Sequence, residues 1–444
     1  MTLQLSTTNP INVKYKAVLS NRIYLTAPPE QFEQFKKKLT YKIPSKLFGK
    51  PPETKYTIKR AGPEIASLPI GRQDLIPENY EIVDKRISIP AEFPEFRYDL
   101  RPNQQIVYDQ VEDNCLINAN VSWGKTFTAI AIATKFKQKT LVIVHTLFLL
   151  EQWKEEIEKC LGIAPNLITG GNADVGSSPI TVANIQTLRK HALALKDSFG
   201  LVIVDEVHHA PAKEFESTLN TFRARFKIGL SATLKRKDFL HVVLPDYFGK
   251  TVYKPPSENL IRPEILIVNS GIPFNSNMTI PWATKVNELI YRPEYQQLVF
   301  DLAISNAKAG HKVLVVSDRT DLINTLHERI PDESIKVIGT TEKRENLRDY
   351  MEMEEKINIC FGALSIFKEG VSWNFLSCLI IAAPVNNNPM LKQLIGRIQR
   401  IYPDKLQPMV VDIMLKGTTA KRQAQARAAY YMEEGYRISW VDIT

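Results

Sequence analysis

Lys125 and Thr126 close the stretch Ala119-Asn120-Val121-Ser122-Trp123-Gly124-Lys125-Thr126, which follows an apolar run and opens a helix-length segment. A loop so placed can cradle phosphates. Backbone N–H groups and the positive end of the helix face the anion, the lysine meets the β and γ groups, and the hydroxyl ligates Mg²⁺. Ala119 replaces the first glycine of such loops, and Ser122 and Trp123 stand where small residues are common. About eighty residues on, the run Leu201-Val202-Ile203-Val204 ends in Asp205-Glu206. At the carboxyl edge of a parallel sheet, Asp205 can hold Mg²⁺ while Glu206 orients and deprotonates a water. A third constellation, Gln393-Leu394-Ile395-Gly396-Arg397-Ile398-Gln399-Arg400, puts Gln393, Arg397 and Arg400 on one face if all are helical. Guanidinium groups stay charged and offer several donors to phosphate oxygens.

These residues need elements to position them. From residue 96, short apolar runs alternate with amphipathic segments of helix length, as in parallel βαβ units. Candidate strands are Asn114–Asn118, Thr140–Val144, Ile180–Val182, Leu201–Val204 and Lys227–Leu230, uninterrupted as strands covered on both faces should be. A second set comprises Lys312–Val316, Ile335–Ile338, Ile357–Cys360, Cys378–Ala382 and Met409–Val411, with helices such as Glu294–Ala309 between them. Two tandem α/β domains with doubly wound parallel sheets follow. Pro255, Pro256 and Pro263 read as a connector, and the division expected is 1–95, 96–258, a linker at 259–280, and 281–444.

Residues 1–95 are proline-rich and poorly periodic, which suits a small β-rich module. Lys36 to Arg60 carries nine basic residues against one acidic, Glu53, interleaved with Phe35, Tyr41, Phe48 and Tyr56. This is either a surface for phosphates and bases or a solvated face over an ordinary core. The net charge of +9 and pI near 9.1 favour a polyanionic partner. No apolar run reaches bilayer length, and the start of the chain lacks signal-peptide character, so a cytoplasmic protein is expected. Cys115, Cys160, Cys360 and Cys378 lack zinc or redox spacing and read as buried thiols.

Asp205-Glu206-Val207-His208-His209 resembles the DExH signature of superfamily 2 helicases, and other motifs follow in order across roughly residues 98–412. Arg101-Pro102-Asn103-Gln104 resembles the motif whose glutamine reads adenine, with Asn103 where an aromatic is frequent. Leu141–His145 with Gln152-Trp153 resembles motif Ia, and Thr181–Leu188, including Gln186 and Thr187, motif Ib; both would face the nucleic-acid backbone. Ser231-Ala232-Thr233 matches the Ser-Ala-Thr motif, which the family couples to the nucleotide site through hydroxyls, and His208 is expected to share that coupling. Phe361-Gly362-Ala363 and Lys368–Trp373 resemble motif V, with Gly370 the firm match and Ser372 where relatives often carry Asp; Val313–Asp318, with Ser317, resembles motif IV. The Gln393–Arg400 run resembles motif VI, whose arginines act as fingers, Arg400 before Arg397.

The resemblance implies two RecA-like domains and an enzyme that hydrolyses ATP with Mg²⁺ while moving on DNA. The combined motifs are most similar to XPB-like and UvsW-like DNA helicases, and the compact size suits their phage-encoded branch. Branched DNA, namely forks and four-way junctions, is then the expected substrate, bound by a monomer in the host cytoplasm alongside replication and recombination proteins. Lys36, Lys37, Lys38, Lys42 and Arg236 are expected DNA contacts. An RNA helicase, the motor subunit of a restriction or nuclease system, and a nucleic-acid scaffold with a decayed ATPase remain alternatives. His208 and His209 are expected to point apart and Trp123 to stack on a base or point outward from the loop, whereas Trp153, Trp373 and Tyr402 could pack or stack.

Overall fold

The computed structural model describes residues 15–44, 51–120, 123–209, 213–232, 234, 239–256, 260–339, 341, 344–369, 373–385 and 387–443. The chain forms two compact units, Met1–Ala119 with Gly124–Pro256 and Asn120–Trp123 with Ser257–Thr444.

In the first unit seven parallel strands lie in the order Asn166–Ile168, Ile180–Asn184, Thr140–Val144, Leu201–Val204, Phe226–Ser231, Cys115–Asn118 and Val252–Tyr253. Every residue of Thr140–Val144 and Leu201–Val204 is buried, which is why these strands read as unbroken apolar runs. Parallel neighbours require crossovers, supplied by helices such as Lys125–Phe136, Leu147–Leu161 and Ile185–His191. The last two begin on side-chain caps: Thr146 accepts from the Leu149 N–H, and Asn184 from the Gln186 N–H.

One buried strand residue is a lysine. Lys227 is 1% exposed and its Nζ lies 3.4 Å from the Leu219 carbonyl oxygen, so burial, aided by Arg22, pushes its ammonium down to about 7 from an ordinary 10.5. Below pH 7 the folded chain must bury a charge. Between pH 7 and 10.5 the unfolded chain binds a proton that the folded chain lacks, so wild-type stability rises with pH across that window. Lys227→Met is therefore expected to stabilise the fold by about 2 kcal/mol at pH 6, an advantage that shrinks by pH 9, as read from urea unfolding at both values. An equal gain at both pH values would contradict this account.

The N-terminal module of the same unit is a five-stranded sheet, Lys59–Gly62, Ile65–Pro69, Arg22–Thr26, Lys16–Leu19 and Glu81–Asp84, antiparallel except for its last pair. The β-rich expectation holds, but the helix Pro29–Lys38 was not legible in the proline-rich sequence. Its prolines open the helix, where a missing N–H costs nothing, and Phe32 and Phe35 pack into the module core. Tyr41, Thr57 and Arg72 all donate to Asp246, a fully buried carboxylate on the helix Pro245–Phe248, which ties the module to the rest of its unit. Tyr56 is exposed, and Phe48 lies outside the described residues.

The second unit repeats the parallel design in the order Ser334–Val337, Ile359–Ala363, Val313–Ser317, Cys378–Ile381, Met409–Lys416, Glu264–Pro273 and Arg437–Asp442. Two strands here were unforeseen. The segment 259–280, read as linker from its prolines, contains Glu264–Pro273, which pairs on both sides. Pro263 precedes this strand rather than interrupting it, and Ile265, Ile267 and Val268 are buried. Behind the sheet, Arg427 makes a two-point contact with Asp412 (2.8 and 2.6 Å) that Tyr431 completes, satisfying a buried charge pair.

All four cysteines are buried and free. Among the described residues no helix is long and apolar enough to cross a membrane, and no group of three or more His, Cys, Asp or Glu is placed to hold a metal ion.

Candidate active site

The strand Cys115–Asn118 delivers the chain to the phosphate-type loop, and the helix Lys125–Phe136 leaves it. Gly124 is the glycine the loop keeps, for two reasons. Its φ is +90°, and a Cβ there would stand 2.4 Å from Gln104 Nε2 and 3.3 Å from an Arg101 guanidinium nitrogen. Gln104 and Arg101 are thereby brought beside the loop, with the Arg101 N–H donating to Gln104 Oε1 at 2.9 Å. Asn103 between them is buried. The Ala119 N–H donates to the Ser231 carbonyl at 3.1 Å, pinning the start of the loop to a neighbouring strand. Lys125 Nζ donates to the Ala119 carbonyl at 3.1 Å, curling the ammonium over the loop, and Thr126 sits in the first helical turn. The Trp123 N–H donates to the Asn120 carbonyl (3.2 Å), and the Trp123 side chain is buried rather than turned outward. Val121 and Ser122 lie outside the described residues.

Asp205 and Glu206 follow the strand Leu201–Val204 at its carboxyl end, as expected. Glu206 has φ of +45°, a left-handed conformation that is costly for a residue with a side chain and that cants the acid away from the strand direction. Its Oε2 lies 3.2 Å from His208 Nδ1 and accepts from Ser231 Oγ at 3.5 Å, and His208 Nδ1 is 3.1 Å from the same hydroxyl. Two of the residues expected to couple the sites, His208 and Ser231, thus meet each other and Glu206. Thr233 lies outside the described residues. Burial pushes the Glu206 carboxyl up, but hydrogen bonding and charge from His208, with Lys125 and His145 adding, hold it below the usual range and keep it ionised. Asp205 moves the other way, raised by burial and by Glu206.

A divalent cation fits that chemistry, because a buried carboxylate denied its charge by its surroundings gains it back beside a metal. Asp205 and Thr126 are the residues that would hold it, with Lys125 near enough to bias both carboxylates electrostatically. The histidine expectation needs correcting. His208 and His209 lie on a single 3₁₀ turn and do not point apart; their ring centroids are 4.3 Å apart, and the His145 ring lies against His209 at 4.2 Å, tilted by 37°. The tight turn after Glu206 brings the rings to one side.

In the second unit, Gln393 and Arg397 lie on the helix Asn388–Ile398 and are buried. Arg400 lies beyond the end of that helix, which corrects the single-face reading: the last regular turn stops at Ile398 and the chain then turns Arg400 separately. Arg397 Nε donates to the Phe367 carbonyl at 2.9 Å. Arg400 donates to Asn374 Oδ1 at 2.8 Å, and Lys405 Nζ donates to the carbonyls of both Arg400 and Asn374 at 2.9 Å. Asn374 and Lys405 carry no motif signature, and sequence reading missed them. Gly370 and Ser372 lie outside the described residues.

The expected nucleic-acid contacts divide. Gln186 is exposed, Thr187 is half-buried, and Lys37, Lys38 and Lys42 are exposed. Lys36 pairs with Glu33 at 3.4 Å. Ser317 is buried and its hydroxyl accepts the Arg319 N–H, a task within its own loop. Arg236 lies outside the described residues. Trp373 packs against Phe367 and Phe375 in the interior. Trp153, read with the backbone-facing motif Ia, turns inward instead and donates from Nε1 to Asp205 Oδ2 at 2.8 Å.

Residues 97–236 match the family described as "Type III restriction enzyme, res subunit". The chain is 40% identical over 439 residues to "Probable helicase D10" of Escherichia phage T5, covering 95% of each. It is 36% identical over 137 residues to "DNA 3'-5' translocase XPB2" of Sulfurisphaera tokodaii, covering 31% of each. Among solved structures, S. cerevisiae Dbp5 bound to RNA and ADP BeF3 aligns with a TM-score of 0.56 at 10% identity, over 76% of this chain and 89% of that one, a likeness of fold alone. The chain belongs to the superfamily 2 helicases, with an XPB translocase among its relatives. It is an ATP-hydrolysing helicase built on two RecA-like domains, in a family that acts on nucleic acid and uses ATP with a divalent metal.

Proposed function

We propose that this helicase is a DNA motor that remodels forks and four-way junctions, driving branch migration in phage replication, recombination or repair. The observation that carries the motor reading is the Glu206, His208 and Ser231 cluster, because it joins the acid that activates water to the strand end that begins the Ser-Ala-Thr motif. ATP is held by the Ala119–Thr126 loop with Arg101 and Gln104 beside it, Mg²⁺ by Thr126 and Asp205, and the attacking water by Glu206. Arg400, with Arg397, supplies positive charge to the γ-phosphate, and the two domains close and open once per hydrolysis.

DNA is preferred because one relative is named a DNA translocase, and RNA stays the second reading because another, 26% identical over 76% of this chain, is named an RNA helicase. The N-terminal module is proposed to grip a duplex arm. Exposed Lys37, Lys38 and Lys42 support this, as do Lys59 and Arg60, which line a groove with Asn21, Tyr24 and Asn220. The protein is proposed to work as a monomer on DNA in the host cytoplasm.

The test is steady-state ATP hydrolysis with no nucleic acid, single-stranded DNA, a fork, a four-way junction and RNA. Stimulation of tenfold or more by the fork and junction over single strands is expected, on the order of what coupled domain closure supplies. Stimulation by RNA alone would transfer the motor to RNA, and a fast rate indifferent to every nucleic acid would remove the coupling.

A further inference from the structure

We propose that Trp153 is a positioning residue for hydrolysis, whose indole N–H fixes the Asp205 carboxylate in the orientation that serves Mg²⁺. The inference rests on Asp205 being the metal ligand. It adds a residue to the site from a helix on which no nucleotide motif lies.

The geometry is specific. Asp205 Oδ2 accepts from Trp153 Nε1 at 2.8 Å, and Asp205 Oδ1 accepts from the Glu206 N–H at 2.8 Å. Among the described residues each carboxylate oxygen is thus held by one donor, which fixes the rotation of the group, and a carboxylate oxygen so held has a further lone pair for a ligand. Trp153 is 1% exposed and Asp205 6% exposed, so water cannot readily replace the bond. An indole N–H to a carboxylate in such surroundings is a charge-assisted bond, stronger than its counterpart at a surface.

Trp153 is itself immobilised. It lies on the helix Leu147–Leu161, and Leu149, Leu150 and Ile157 at helical spacing around it are buried as well. Asp246 in the same unit receives several donors because it holds the N-terminal module, and it serves as a contrast. Among the described residues Asp205 receives one side-chain donor, and that donor is a residue unable to accept a hydrogen bond. Partners that orient a metal ligand commonly alter metal affinity ten- to a hundredfold when removed.

Trp153→Phe keeps the ring and deletes the donor. Binding of a fluorescent, non-hydrolysable ATP analogue is titrated with Mg²⁺ in wild type, Trp153→Phe, Asp205→Asn and the double variant, with thermal unfolding of each. The Mg²⁺ concentration giving half the binding enhancement is expected to rise about tenfold in Trp153→Phe. Metal-free analogue binding should be unchanged, and the double variant should match Asp205→Asn because the indole acts through that carboxylate. A wild-type Mg²⁺ response in Trp153→Phe, with Asp205→Asn impaired, overturns the role of Trp153. A wild-type response in Asp205→Asn overturns the metal-ligand reading instead.

A second measurement covers a variant that folds poorly. The indole ¹⁵N–¹H resonances of the wild-type protein are followed as Mg²⁺ is added to the analogue complex, and one that moves, but stays still in Asp205→Asn, supports the proposal. No indole resonance responding to Mg²⁺ overturns it.

Discussion

Glu206→Gln should lower kcat for ATP hydrolysis by a factor of about 10²–10⁴, the range supplied by a positioned general base, while nucleotide affinity stays within a few-fold of wild type. The substitution preserves size and the left-handed backbone at φ +45°, so the fold has no reason to change. What it removes is a carboxylate that His208, Lys125 and His145 keep ionised, and with it the full negative charge that can take a proton from water. The amide also sets an N–H₂ or a neutral oxygen opposite His208 Nδ1 and Ser231 Oγ, disturbing the trio where the Ser-Ala-Thr strand meets the acid. Single-turnover hydrolysis alongside equilibrium binding of ATP separates the two effects. A variant that hydrolyses ATP within threefold of wild type would strip Glu206 of its role and return the scaffold reading to the front.

Much of this site was legible because buried parallel strands are written as unbroken apolar runs. Thr140–Val144 and Leu201–Val204 have the bounds expected from sequence, and the residue after such a run is necessarily at a sheet edge, where Asp205 and Glu206 stand. Gly124 was legible for a related reason, since a backbone constraint leaves a mark in residue type. Contacts between distant side chains leave no such mark. Nothing in Gln152-Trp153 shows that the indole turns back to Asp205, 52 positions on, and nothing in the 400–405 segment shows Lys405 folding onto the carbonyl of Arg400. Prolines misled in both directions. They concealed the helix Pro29–Lys38 and made the edge of the strand Glu264–Pro273 look like linker, because proline marks the start of an element as readily as its absence. The helical face assigned to Arg400 failed at the helix terminus, the feature that spacing alone defines least well.

That terminus bears directly on the second large effect. Arg400→Ala should reduce nucleic-acid-stimulated kcat by about 10³, the lower end of what an arginine finger contributes, with little change in thermal midpoint. Arg397→Ala should lower activity and stability together. The distinction follows from what each guanidinium does in its own domain. Arg397 is 8% exposed and gives Nε to the Phe367 carbonyl, so truncation leaves a buried acceptor without that donor. Arg400 is more exposed and is steadied by Asn374, with Lys405 bracing its carbonyl, so its side chain can be removed without opening the core. Arg400→Lys should recover only part of the rate, since one ammonium cannot reproduce the several fixed donors of a guanidinium. Measuring kcat, ATP affinity and thermal unfolding for all three variants decides the assignment. If Arg400→Ala keeps its rate while Arg397→Ala loses it without unfolding, the γ-phosphate contact belongs to Arg397, whose guanidinium carries N–H donors besides the Nε–H given to Phe367.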